Sequence, residues 1–113
     1  MSNHVNEFYA KFQKDVEKMK TMCPNTIGGF TAMFGKIMGE GSLSVKQKEL
    51  IALAIGVSKS CNPCIRLHVQ KCKSTGATKE EILEAASVAV MMAGGPAFTH
   101  IPEVIDAIEA LEV

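Results

Sequence analysis

The sequence predicts an all-α chain, and three observations carry that expectation. Every segment with a clear apolar period repeats at i, i+3, i+4 and i+7, and none alternates as a strand would. Two stretches carry helix-capping boxes, Ser44 with Gln47 and Thr78 with Glu81. The composition also suits helices packed closely on helices: 47% apolar residues with seven Met, no Trp, one Tyr and five Phe. At 113 residues there is room for one core, so the expectation is a single domain over residues 1–113.

In chain order, Val5, Phe8, Tyr9, Phe12, Val16 and Met19 predict a first helix over about 4–20. Pro24 stops it, because proline disfavours helix in the residue before it and fits the start of a new one. Ile27, Phe30, Met33, Phe34 and Ile37 mark a second helix over 25–38, ended by Gly39 and Gly41. Ser44 caps a third, 45–58, whose run from Leu50 to Ile55 reads as almost fully buried. The fourth covers 62–74 and is closed by Gly76. Thr78 opens the fifth, 79–93, apolar all round from Val88 to Ala93 and interrupted by Gly94 and Gly95. A sixth helix over 96–112 places Ile101, Val104, Ile105, Ile108 and Leu111 on one face. Six short helices leave the Leu50–Ile55 and Val88–Ala93 runs thinly covered, so self-association is expected.

Twelve basic and twelve acidic residues cancel. Nothing in that balance suggests nucleic acid or an anionic membrane as a partner. No apolar run approaches the ~20 residues of a membrane span, and no signal-type segment follows Met1. A cytoplasmic location is expected, where thiols stay reduced unless they are catalytic.

The chemistry is concentrated in Ser60-Cys-Asn-Pro-Cys-Ile-Arg-Leu-His68, with Glu49 upstream. Cys61 falls at a helix N-terminus, where free N–H groups and the macrodipole favour a thiolate. Cys64 and His68 are i and i+4 neighbours on one face. Two thiols with a nearby base are the minimum equipment for dithiol–disulfide chemistry. A zinc site would need further ligands, and Cys72 lies roughly 16 Å from Cys61 along a helix axis, beyond the reach of one ion. An iron–sulfur cluster using Cys61, Cys64 and another cysteine, drawn from across a subunit boundary, is expected still less than zinc. A purely structural disulfide would close a very short loop and gain little. The imidazole points to Cys64 as the attacking sulfur and the helix terminus points to Cys61; we expect Cys64 to attack and Cys61 to resolve.

The pattern Glu49-x11-Cys61-x2-Cys64-x3-His68 resembles the signature of the alkylhydroperoxidase D branch of the carboxymuconolactone decarboxylase superfamily. The flanking text agrees, from Lys48-Glu-Leu-Ile-Ala-Leu-Ala-Ile-Gly56 to Val90-Met-Met-Ala-Gly-Gly-Pro-Ala97, and the resemblance spans about residues 28–111. It implies an all-α fold that assembles into homotrimers or homohexamers. It also implies a thiol-dependent peroxidase or disulfide oxidoreductase of antioxidant role, with no cofactor beyond a redox-active Cys61–Cys64 disulfide. Glu49 and His68 would relay protons, a hydroperoxide or disulfide would be the substrate, and a dithiol donor would reopen the bond. Pro63 stands where some family members carry a second histidine, so that relay element is absent. Rival readings are the lactone decarboxylation for which the superfamily is named, and a non-catalytic metal-binding or scaffold protein.

The remaining candidates have plainer expectations. Cys23 and Cys72 read as buried small hydrophobes. His100 reads as a core or interface residue on the last helix, and His4 as solvated. Gly94-Gly95-Pro96 reads as close packing, and Arg66 as facing solvent or a substrate anion.

Overall fold

A computed structural model describes residues 3–113. The described residues form seven helices and no strand: α1 (Asn3–Met22), α2 (Pro24–Met38), α3 (Val45–Ser58), α4 (Asn62–Ser74), α5 (Lys79–Ala93), α6 (Gly95–Phe98) and α7 (Ile101–Leu111). The all-α expectation is borne out. The first five helices fall within a residue or two of their expected limits, and both capping boxes form. Ser44 Oγ accepts from the Gln47 N–H at 3.0 Å and Thr78 Oγ1 from the Glu81 N–H at 3.1 Å, each glutamine or glutamate side chain returning the bond.

The expected sixth helix is cut in two. Pro102, the second residue of α7, has no N–H to donate, and its ring occupies the space a continuous helix gives to the Phe98 carbonyl. The chain turns through Thr99 and His100 instead. His100 therefore lies in the turn and not on the last helix, half-buried, with Nδ1 2.8 Å from the Pro96 carbonyl.

One core runs through the bundle. Leu53 and Val57 of α3, Ile65, Val69 and Cys72 of α4, Ile82 and Ala86 of α5 and Val104 and Ala107 of α7 are all fully buried. Alanines and valines let these helices approach closely, as the composition suggested. Val5 of α1 joins them, and the Tyr9 hydroxyl donates to the Arg66 carbonyl at 2.6 Å, tying α1 to α4.

Helix α2 is different, because it buries no residue completely. Its Phe30, Met33 and Ile37 are each more than half exposed. The radius of gyration is 14.3 Å, against about 13.3 Å for a compact chain of this length. Lys48 on α3 holds the end of α2, donating to the carbonyls of Ile37 and Gly39 at 2.7 Å each. The run from Leu50 to Ile55 is also less buried than expected. Leu53 faces the core, but Ile51 and Ile55 are 47% and 50% exposed. An apolar run on a helix can point only part of its circumference at a one-sided core. Val88, Met91 and Met92 on α5 are exposed in the same way. Among the described residues no helix is long and apolar enough to cross a membrane.

Candidate active site

The site is built where α3 ends and α4 begins. Helix α3 closes in a Schellman turn: the Ser60 N–H donates to the Val57 carbonyl and the Cys61 N–H to the Gly56 carbonyl, both at 3.1 Å. The turn needs one left-handed residue, and Ser60 supplies it at φ +53°. Cys61 is thus the last bonded residue of one helix and the N-cap of the next. Its Sγ accepts the Cys64 N–H at 3.3 Å. Pro63 stands in the first turn of α4, where its missing N–H would have had no helical partner.

Cys61 and Cys64 are joined by a disulfide, with Cα atoms 5.3 Å apart, inside the usual range for such bonds. Both cysteines are half-buried. One turn further along α4, the His68 ring meets Glu49 of α3, with Nδ1 2.7 Å from Oε1. Glu49 is only 2% exposed and is the one buried charged residue among those described. A buried carboxylate needs such a partner, since an unpaired charge there would be costly. The Glu49 bond fixes the orientation of the ring and leaves Nε2 as its free nitrogen. The Phe34 ring is stacked beside the imidazole, centroids 6.4 Å apart and planes 25° from parallel. The four candidate residues are therefore gathered on the facing sides of α3 and α4.

Gly56 and Phe34 belong to this arrangement, and the sequence reading did not single them out. A Cβ on Gly56 would lie 3.0 Å from the Cys64 Cβ. Only a bare backbone lets α3 come this close to the thiol pair. A glycine inside an otherwise apolar helix was the available signal. Replacing Gly56 by Ala adds about 1 kcal/mol of helix propensity but forces overpacking worth about 1–3 kcal/mol. The expected net result is a loss of stability and slower closure of the disulfide. Gly35→Ala is the control, because nothing lies within 4 Å of its Cβ position. Urea unfolding of the two variants should move in opposite directions; equal gains would remove the steric role.

Cys72 is fully buried, as expected, and burial, reinforced by the negative charge of Glu49, pushes its thiol up to about 12. Its reactivity should therefore be low. In reduced native protein at pH 8, alkylation followed by peptide mass spectrometry should find Cys61 and Cys64 modified and Cys72 untouched until the chain is denatured. Burial also raises the Tyr9 hydroxyl to about 12, with Arg66 opposing the rise. Raised folded values mean stability is intact below the unfolded ones, near 8.5 for Cys and 10 for Tyr. It is lost as pH climbs from there towards 12.

Other candidates fall away from the thiols. Cys23 is the half-exposed N-cap of α2 and not a buried hydrophobe, because Pro24 starts the helix there and leaves the residue at an outer corner. Arg66 faces neither solvent nor an open site: its Nη2 is 3.1 Å from Glu103 and its guanidinium stacks 5.2 Å from the Phe8 ring centre. His4 is exposed, 4.0 Å from Asp106. Among the described residues no three His, Cys, Asp or Glu side chains converge as a metal site would require.

The chain is similar to known proteins both in sequence and in fold. The pattern of the carboxymuconolactone decarboxylase family matches residues 24–107. The chain belongs to that family. A family member from Legionella pneumophila superposes with a TM-score of 0.86 at 33% identity, covering 96% of this chain and 95% of its own. An uncharacterised protein from the cox locus of Paracoccus denitrificans is 32% identical over 83 residues, 74% of this chain and 75% of that one. The alkyl hydroperoxide reductase AhpD of Corynebacterium kroppenstedtii is 31% identical over 58 residues. That match covers 51% of this chain and 33% of the reductase. The superfamily and its AhpD-like branch, expected from the Glu49, Cys61, Cys64 and His68 spacing, are thus found.

Proposed function

We propose that this chain is a thiol-dependent peroxidase or disulfide oxidoreductase of antioxidant role, working through Cys61 and Cys64. The observation that carries the reading is a Cys-x-x-Cys pair at a helix N-terminus with a buried carboxylate–imidazole pair one turn away. The Cys64 thiolate attacks one peroxide oxygen of ROOH. The O–O bond breaks, Cys64 becomes a sulfenic acid, and the departing alkoxide takes a proton from the imidazolium of His68 to leave as ROH. The Cys61 thiolate then attacks the Cys64 sulfur and expels its oxygen as water, using one further proton. Both electrons reducing the peroxide come from the two thiols, which end as the disulfide. An external dithiol, protein or small molecule, returns them by thiol–disulfide exchange and is itself oxidised. Glu49 holds His68 in one orientation through its bond to Nδ1.

A cytoplasmic setting suits the cycle, since thiols stay reduced there between turnovers. The exposed Ile51, Ile55, Val88, Met91 and Met92 support a homo-oligomer, and a trimer or hexamer is our proposal for it. Lactone decarboxylation fits less well, because that chemistry makes no use of a Cys-x-x-Cys pair and the chain's single arginine is held by Glu103.

The test is a thiol count on fully reduced protein before and after one equivalent of an organic hydroperoxide, with mass spectrometry of the Cys61–Cys64 peptide. Loss of two thiols with a bond between these cysteines is expected. Thiols that never react, or that are masked by bound metal, would replace this reading with the scaffold one.

A further inference from the structure

One cavity among the described residues lies apart from the thiol pair. It is a trough of about 560 Å³ between α1, α2 and α4, a volume within the roughly 300–1,000 Å³ of small-molecule sites. Its walls are aliphatic and aromatic: Val16 and Met19 from α1, Ile27 and Phe30 from α2, and Leu67 from α4. Two threonines, Thr26 and Thr31, also line it, and the Thr31 hydroxyl is already spent on the Ile27 carbonyl at 2.8 Å. The walls therefore offer little to a polar ligand and much to a hydrocarbon chain.

One charge breaks this surface. Lys71 lines the trough, half-buried, with its ammonium 4.9 Å from the centre of the Phe34 ring. Among the described residues no carboxylate lies within 4.0 Å of it. A partly desolvated ammonium beside an apolar trough, paired only with a ring face, lacks an anion. Phe34 is shared: it lines the trough, carries Lys71 and stacks on His68.

We propose that this trough binds an amphipathic carboxylate, its aliphatic tail between α1 and α2 and its head group on Lys71. The ligand would sit one aromatic ring from His68. Binding needs neither the thiols nor their turnover, so it stands or falls separately from the redox reading.

The experiment is isothermal calorimetry of the full chain with sodium decanoate, below its micelle concentration, and with 1-decanol. The molecular mass in solution is measured in parallel by sedimentation. Saturable decanoate binding is expected. Lys71→Met should weaken decanoate by roughly ten-fold, the value of one charge-assisted hydrogen bond, and leave decanol unchanged. Ile27→Trp, which fills the trough, should remove both without changing the circular dichroism or the mass. Absent decanoate binding, or binding indifferent to both substitutions, would overturn the proposal. So would an Ile27→Trp protein of altered mass, because a second copy of the chain would then be what covers the trough.

Discussion

Replacing either Cys61 or Cys64 by serine should bring peroxide turnover down to the uncatalysed background while the helices stay intact. A serine hydroxyl is not ionised near neutral pH, so it supplies neither an attacking nor a resolving thiolate. The two variants should nonetheless differ in a single turnover. Cys61→Ser keeps the attacking sulfur, and a hydroperoxide should carry it to a sulfenic acid that can be trapped and weighed. Cys64→Ser should show no such adduct. The reverse distribution would exchange the roles of the two sulfurs, and normal turnover in either variant would end the dithiol mechanism. Melting temperatures should be little changed by either substitution, because a bridge across so few residues constrains the unfolded chain weakly.

The second large effect is expected at Glu49. Glu49→Gln keeps the shape of a side chain that is 2% exposed but removes the charge facing His68 Nδ1. Loss of a positioned acid–base pair typically costs about 10²–10⁴-fold in rate, and thiol attack should move to higher pH as the thiolate forms with less help. Removing the other partner tests a different quantity. His68→Ala would leave the Glu49 carboxyl buried without its hydrogen-bond partner, a loss of about 1–3 kcal/mol. Glu49→Gln should therefore be slow but folded, and His68→Ala slow and destabilised. Rate–pH profiles and urea unfolding of both proteins would check this. A Glu49→Gln enzyme with an unchanged rate and pH profile would leave the pair a structural role only.

The family signature was legible because it is local. Cys61, Cys64 and His68 lie within eight residues, and helical geometry alone sets their spacing. Glu49 is one helix away; its place upstream of the motif is plain in the sequence, and its relay role came only through the resemblance. That its carboxylate meets His68 at 2.7 Å is a property of how α3 packs on α4. Gly56 was less visible, since its role is to be absent where Cys64 needs room. In the sequence Phe34 is one more apolar residue in the period of α2, and no periodicity tells that its ring stacks beside the imidazole. Arg66 shows the converse. Its place in the motif invited a site role, yet the partner that claims it, Glu103, is 37 residues away.

Local chemistry determined the helices by itself: the capping boxes, the glycine stops and the apolar period act within a few residues of one another. Pro102 acted locally too, dividing the last helix at a point the apolar period alone would carry through. Tertiary packing decided which side of each apolar helix found a core. It buried Leu53 while leaving Ile51 and Ile55 half exposed, and it left α2 with no buried residue. Burial depends on neighbours that arrive from distant parts of the chain, and a residue's own sequence context carries no record of them.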